Sequence, residues 1–130
     1  MANYTVLQTH GDFGGGTERS TNSVPGFIPK TANLALSWRY NKFNARARIS
    51  YQSDNLLAFN ATSAALNQYR MRRNVVSAGL GYQLKPAINL TCDVQNLLNE
   101  PTINYRGFRD RMDITVIQGT MVTVGLEGRF

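Results

Sequence analysis

The chain has 130 residues, about one domain's worth, and its 14 Lys+Arg against 8 Asp+Glu give a formal net charge of +6. An apolar content of 42% excludes a disordered chain, and no run approaches the roughly 20 apolar residues of a transmembrane helix. The lone cysteine, Cys92, excludes an intramolecular disulfide, and Met1-Ala2-Asn3-Tyr4 has neither the basic segment nor the apolar stretch of a secretory signal.

Six stretches alternate with a two-residue period, which describes strands with two chemically different faces. The first is expected from about Ala2 to His10, with Tyr4 and Val6 on one face and Asn3, Thr5 and Thr9 on the other; Leu7 and Gln8 sit out of phase. The second, Thr31 to Tyr40, sets Ala32, Leu34, Leu36, Trp38 and Tyr40 against Asn33, Ser37 and Arg39. In the third, Phe43 to Ser53, Phe43, Ala45, Ala47, Ile49 and Tyr51 oppose Asn44, Arg46, Arg48, Ser50 and Gln52. The fourth, Asn74 to Leu84, places Val76, Ala78, Leu80, Tyr82 and Leu84 opposite Ser77, Gly79, Gly81 and Gln83. Ile88, Leu90, Cys92 and Val94 of the fifth face away from Asn89, Thr91, Asp93 and Gln95. The sixth, Thr120 to Phe130, interleaves Met121, Thr123, Gly125, Glu127 and Arg129 with Val122, Val124, Leu126, Gly128 and Phe130.

The connections alternate strictly between short and long. Asn41-Lys42 and Lys85-Pro86 read as tight hairpin turns, whereas residues 11–30, 54–73 and 99–119 read as long loops. All the short turns then lie at one end of the sheet, as in outer-membrane barrels with short periplasmic turns and long extracellular loops. The first long loop is rich in Gly, Ser, Thr and Asn, and no second domain is visible.

Aromatic placement points the same way. Trp38, Tyr40, Phe43, Tyr82 and Phe130 fall on the apolar face at strand ends next to the short turns, and Tyr51 marks the opposite rim. Such a belt is where amphipathic rings meet lipid headgroups. A strand of about ten residues, tilted by about 45°, spans about 23 Å, close to the roughly 25 Å apolar band of these barrels. Charge then orients the faces. Placing Arg46 and Arg48 in hydrocarbon would cost about 2–4 kcal/mol each, so the polar face is expected to line a wet interior.

Two segments resemble a known family, the TonB-dependent outer-membrane receptors. Asp93-Val94-Gln95-Asn96-Leu97-Leu98-Asn99-Glu100, a long loop and Gly119 through the strand Met121 to Phe130 look like the carboxy-terminal end of such a receptor. Val24-Pro25-Gly26-Phe27-Ile28-Pro29-Lys30-Thr31-Ala32-Asn33-Leu34-Ala35-Leu36-Ser37-Trp38 looks like the family's P-K-H-T-A-N-L-x-L-S-Y segment, with Thr31 where histidine is often seen. The resemblance implies an all-β fold, an antiparallel up-and-down meander of about six long strands forming part of a roughly 22-stranded transmembrane β-barrel. It implies a receptor in the bacterial outer membrane for energy-dependent uptake of a siderophore, cobalamin or glycan. The loops and an amino-terminal plug would bind the ligand, and a TonB complex spanning the periplasm would pull on the plug. The chain departs from that pattern: residues 1–130 read as one segment of the barrel's carboxy-terminal portion, with the plug, the partner-binding box and the other strands absent. About eight strands are the minimum for a closed single-chain barrel, so the segment is expected to be a truncated product, an engineered piece or a degenerate copy, forming an open sheet with two unpaired edges.

Candidate site residues follow from this frame. Arg70, Arg72 and Arg73 in one loop, and Arg106, Arg109 and Arg111 in another, suit carboxylate or phosphate ligands such as an iron chelate. The favoured reading is plainer: contact with lipopolysaccharide phosphates, or pairing with Asp110 and Asp113 within the loop. Arg39, Arg46, Arg48, Asp93, Glu127 and Arg129 are expected to face the lumen, holding a plug through salt bridges rather than attracting substrate. By the same resemblance Phe130 is the signal recognised by the barrel-assembly machinery; its plain reading is a belt aromatic. The other expected partners are outer-membrane lipid and lipopolysaccharide, the plug and the remaining wall strands, with TonB engaged only through the plug.

Other strings carry no chemistry. Asp12-Phe13-Gly14 lacks the accompanying kinase elements, and Gly14-Gly15-Gly16 lacks the Lys-Ser/Thr of a phosphate loop. His10 has no partners for metal binding or base catalysis, Cys92 falls on the apolar face, and the basic balance lacks the aromatic interleaving of a nucleic-acid platform. No enzyme signal, metal site or cofactor is expected. The alternatives are a soluble fatty-acid-binding-like lipid carrier, whose apolar side chains would point inward around a ligand, and a subunit contributing strands to an oligomeric pore.

Overall fold

The computed structural model describes residues 1–11, 21 and 23–128, and their regular structure is strand apart from one 3-10 turn, Ala64–Leu66. In chain order the strands are β1 (Ala2–Val6), β2 (Lys30–Tyr40), β3 (Phe43–Gln52), β4 (Asn55–Ala58), β5 (Gln68–Arg70), β6 (Arg73–Lys85), β7 (Ile88–Gln95), β8 (Thr102–Arg106), β9 (Met112–Val116) and β10 (Met121–Gly128). The fold is all-β and every ladder is antiparallel. Six strands, five of them long and β1 short, form a meander in the order β1-β2-β3-β6-β7-β10, here called the wall sheet.

The wall strands keep the expected phase, with one shortening. β1 pairs with β2 only as far as Val6↔Lys30 and does not reach His10. The next bond, from the Leu7 amide to the Pro29 carbonyl at 2.8 Å, is the last, because Pro29 has no N–H to return. The β2–β3 turn is Asn41-Lys42, with Asn41 at φ 51, a left-handed backbone that asparagine tolerates. The β6–β7 turn is Pro86-Ala87 rather than Lys85-Pro86; an irregularity between Gln83 and Lys85 lets the ladder close on Lys85↔Ile88.

Two of the three connections expected to be loops are corrected by the structure. Residues 54–73 hold β4 and β5, and residues 99–119 hold β8 and β9; these pair across the two connections as a second sheet, β4-β5-β8-β9. That order repeats β3-β6-β7-β10, so each hairpin of the wall continues above its own rim. The runs are only three to five residues long, too short for a two-residue period to register.

Register places whole rows on one face. Tyr40, Phe43, Tyr82, Leu90 and Leu126 lie side by side at the short-turn end. Phe43 and Tyr82 meet with ring centroids 4.6 Å apart, and Trp38 stacks on Tyr40 at 5.9 Å. The row Leu36, Ala47, Ala78, Val94, Val122 crosses the middle of the same face. Strand contacts run chiefly between neighbours within each sheet, so the wall is a single layer. Its apolar face is bare among the described residues: Leu36 is 61% exposed and Val124 67%. The buried apolar side chains among them are Leu56 and Tyr105, both in the upper sheet.

Candidate functional site

The polar face of the wall is held together by groups reaching across strands. Arg46, Gly79 and Asp93 stand in one row on β3, β6 and β7. Arg46 donates from Nη2 to both Asp93 oxygens at 2.7 Å and from Nε to Oδ1 at 3.1 Å. The pair passes directly over Gly79, where a Cβ would lie 2.5 Å from Arg46 Nε and 2.8 Å from its Cγ. Only glycine leaves room for a guanidinium to clasp a carboxylate two strands away. One row nearer the short turns, Asn44 leans over Gly81 in the same way. Next to the upper rim, the Ser50 hydroxyl donates to Asn33 Oδ1.

Arg39, Arg48 and Glu127 share this face by register, opposite Asn44, Ala35 and Asn89 respectively, and all three are exposed. Arg46, expected to face the lumen, is paired with Asp93 on the polar face of the wall. The ion pairs among the described residues are Arg46–Asp93, Arg106–Asp113 and Arg109–Asp54. Arg129 and Phe130, expected as lumen charge and assembly signal, lie outside the described residues.

Asn96 forms the joint between wall and upper sheet. It is buried and left-handed at φ 52, immediately after β7. Its Nδ2 donates to the Gly119 carbonyl at 3.1 Å and the Glu100 carbonyl at 3.3 Å, while Oδ1 accepts the Glu100 amide at 2.9 Å. The Thr120 hydroxyl donates to the Asn96 carbonyl at 2.9 Å. One side chain thus ties the β7–β8 corner to the β9–β10 corner. The segment Asp93 to Glu100 contains both the carboxylate of the clasp and this joint.

The loop arginines are spread over the upper sheet and the rim of the wall, where Arg73 opens β6, rather than gathered at one point. Arg70 donates from Nε to Asn104 Oδ1 at 3.3 Å, and Arg73 donates to Gln118 Oε1. Arg106 pairs with Asp113 at 2.9 Å, inside its own loop. Arg109 pairs with Asp54 of the other connection, not with Asp110. Asp54 also accepts the Arg72 amide at 2.5 Å, so one carboxylate joins two connections. A hydrogen bond with Tyr105 and the charge of Asp54 hold the Arg109 guanidinium above its ordinary pKa. Tyr105 stacks on Tyr69, centroids 5.2 Å apart. Gly107, at φ +66 with the Ala65 Cα 2.8 Å from where its Cβ would stand, packs the β8–β9 tip onto the 3-10 turn.

Gly79, Asn96 and Asp54 escape a sequence reading for different reasons. Glycine in a strand announces a close approach but not its partner. Asn96 stands where alternation stops, and that is its one local sign. Nothing near Asp54 points to Arg109, which lies 55 residues away. Among the described residues no three potential metal ligands cluster. No protein-family model, no curated protein and no solved structure matches the chain.

Proposed function

We propose that this chain is a section of outer-membrane barrel wall, the carboxy-terminal part of a roughly 22-stranded TonB-dependent receptor for a siderophore, cobalamin or glycan. The observation carrying the proposal is the bare apolar face opposite a charge-bearing one. Burying a Leu, Val or Phe side chain is worth about 1.5–3 kcal/mol, so a sheet leaving whole rows of them in water would forgo most of its stabilisation. Lipid acyl chains remove that cost. They also demand that Arg46 and Arg48 face away from them, as the register has it.

Three further features support the reading. The aromatic row Tyr40, Phe43, Tyr82 lies at one height, suited to the headgroup level. Both short turns lie at that end, and the upper sheet rises from the other. In the complete receptor, Arg39, Arg48 and Glu127 look into the bore towards the plug, through which TonB acts, and Phe130 serves the assembly machinery. Arg70, Arg72 and Arg111 stand on the cell-surface side, within reach of lipopolysaccharide phosphates. A soluble lipid carrier would need the Leu36 row covered by a ligand or a second layer, and among the described residues nothing covers it.

Trp38, the single tryptophan, tests the proposal. With the chain refolded into vesicles of brominated phosphatidylcholine, its fluorescence is expected to be quenched most by bromines close to the headgroups. A monodisperse protein in plain buffer whose Trp38 emission ignores brominated lipid would overturn it.

A further inference from the structure

Lys85 stands on the apolar side of the wall because β6 carries one extra residue. As far as Gln83↔Asn89 the β6–β7 ladder keeps a single register, which would leave Lys85 in phase with Gln83, on the polar face. The irregularity between Gln83 and Lys85 instead sets Lys85 opposite Ile88, which shares its face with Leu90 and Cys92. An added residue of this kind re-aims a side chain. We propose that it makes the short-turn rim a docking site for an anionic glycerophospholipid, whose phosphate lies between Lys85 and Lys42 beside the hydroxyls of Tyr82 and Tyr40. The proposal rests on the reading that the apolar face meets acyl chains.

The rim complements such a headgroup in charge. The Gln83 amide donates to the Lys42 carbonyl at 2.8 Å, so the ends of the two wall hairpins lie side by side. One strand spacing across and two residues along put the Cα atoms of Lys42 and Lys85 about 8 Å apart. Neither ammonium has an ion-pair or hydrogen-bond partner among the described residues. Nor does any described acid share the apolar side of this rim: Glu127 stands opposite Asn89 on the polar face, and Asp93 is taken by Arg46. A zwitterionic headgroup would bring its own cation against the two ammonium groups; an anionic one does not.

Polarity also grades along this face towards the turns. On β6 Leu80 is followed by Tyr82 and then Lys85, and on β2 Leu36 is followed by Trp38 and Tyr40. The Tyr40 ring is 67% exposed, and the hydroxyls of Tyr40 and Tyr82 are unbonded among the described residues. Each can therefore donate to a phosphate or ester oxygen, at the level where a phenol bridges apolar and wet layers. One step beyond them, the methylene stem of Lys85 can follow the apolar side while its ammonium meets the phosphate.

The test uses the full-length chain in phosphatidylcholine vesicles, with Trp38 as the reporter on the same face. Dibrominated phosphatidylglycerol or dibrominated phosphatidylcholine is introduced at equal mole fraction, and the quenching gives their relative association constants. Wild type is expected to prefer phosphatidylglycerol, and Lys85→Gln to lower that preference about fivefold. Lys85→Arg should keep it, as should Lys30→Gln at the opposite rim, and excess glycerol phosphate in the buffer should not compete. Equal quenching of wild type by the two lipids would overturn the proposal. So would a loss from Lys30→Gln as large as that from Lys85→Gln, or a preference surviving Lys42→Gln and Lys85→Gln together, which would trace it to overall charge. A preference abolished by glycerol phosphate would overturn it in favour of a soluble phosphate. In all these cases brominated phosphatidylcholine still quenches Trp38 and the membrane reading stands; absence of quenching by either lipid removes that reading and the proposal with it.

Discussion

The wall and the upper sheet are built from the same antiparallel ladders in the same strand order, yet among the described residues only the upper sheet buries apolar side chains. In the upper sheet Leu56 and Tyr105 are covered and Tyr69 stacks on Tyr105, although Met112, Ile114 and Val116 of its edge strand β9 stay exposed. In the wall Leu36, Trp38 and Val124 are more than half exposed, while polar groups such as Arg46 and Asp93 meet across strands on the opposite face. Strand order and pairing therefore carry no information about solvent. Only the side-chain rows do, and they change at the joint formed by Asn96.

The widest separation between the two regions is expected from arginine substitutions at equally bare sites. Leu36→Arg places a charge in the middle of the apolar face, where lipid would make it cost about 2–4 kcal/mol, read as lost folding yield or a lower urea midpoint in vesicles. Phe108→Arg, at a 74% exposed site on the β8–β9 tip, is expected to leave both unchanged. Equal tolerance at the two positions would mean that water touches both, and the wall reading would fail.

The six wall strands were legible because one face of each differs chemically from the other over eight or more residues, β1 excepted. β1 alternates to His10 but stops at Val6, since its partner strand begins after Pro29; the obstacle sits in another part of the chain. The upper sheet was illegible because β5 has three residues and pairs with β8, more than thirty residues further on. Among the site residues, Arg46 and Asp93 were both placed on the polar face. Their union depends on Gly79 standing between them, and no spacing rule within one strand can show that.

Next in size is the joint. Asn96→Ala removes three hydrogen bonds at a buried corner and forces alanine into a left-handed backbone, expected to cost about 2–3 kcal/mol in chemical denaturation. Asn96→Gly keeps the backbone and loses only the bonds, so it should recover about 1 kcal/mol of that. Because Asn96 belongs to both regions, amide exchange should rise together around Glu100 and Gly119. If it rose on one side only, the joint would not couple the two sheets.

The clasp follows. Gly79→Ala intrudes on Arg46 and Asp93 and is expected to cost about 1–2 kcal/mol, with the loss confined to the wall. Asp93→Asn frees Arg46 without crowding it, so combining the two substitutions should cost less than their sum. Additive losses in the four-variant cycle would show that Gly79 and the ion pair act separately.

The smallest effect is expected at Asp54, which separates charge from hydrogen bonding within the upper sheet. Asp54→Asn keeps an oxygen for the Arg72 amide but removes the charge facing Arg109. Exposed pairs contribute little to global stability, so the readout is local. Exchange at the Gly107 amide, bonded to the Asn67 carbonyl at the foot of the tip, should quicken severalfold, while the Arg72 amide stays protected. Asp54→Ala should release both. At about 1 M salt, where screening acts over roughly 3 Å, wild type should approach the Asn variant at Gly107 and leave Arg72 unmoved. A Gly107 amide indifferent to substitution and salt alike would mean that Gly107 against Ala65 anchors the tip, with the Asp54–Arg109 pair riding on a position already set.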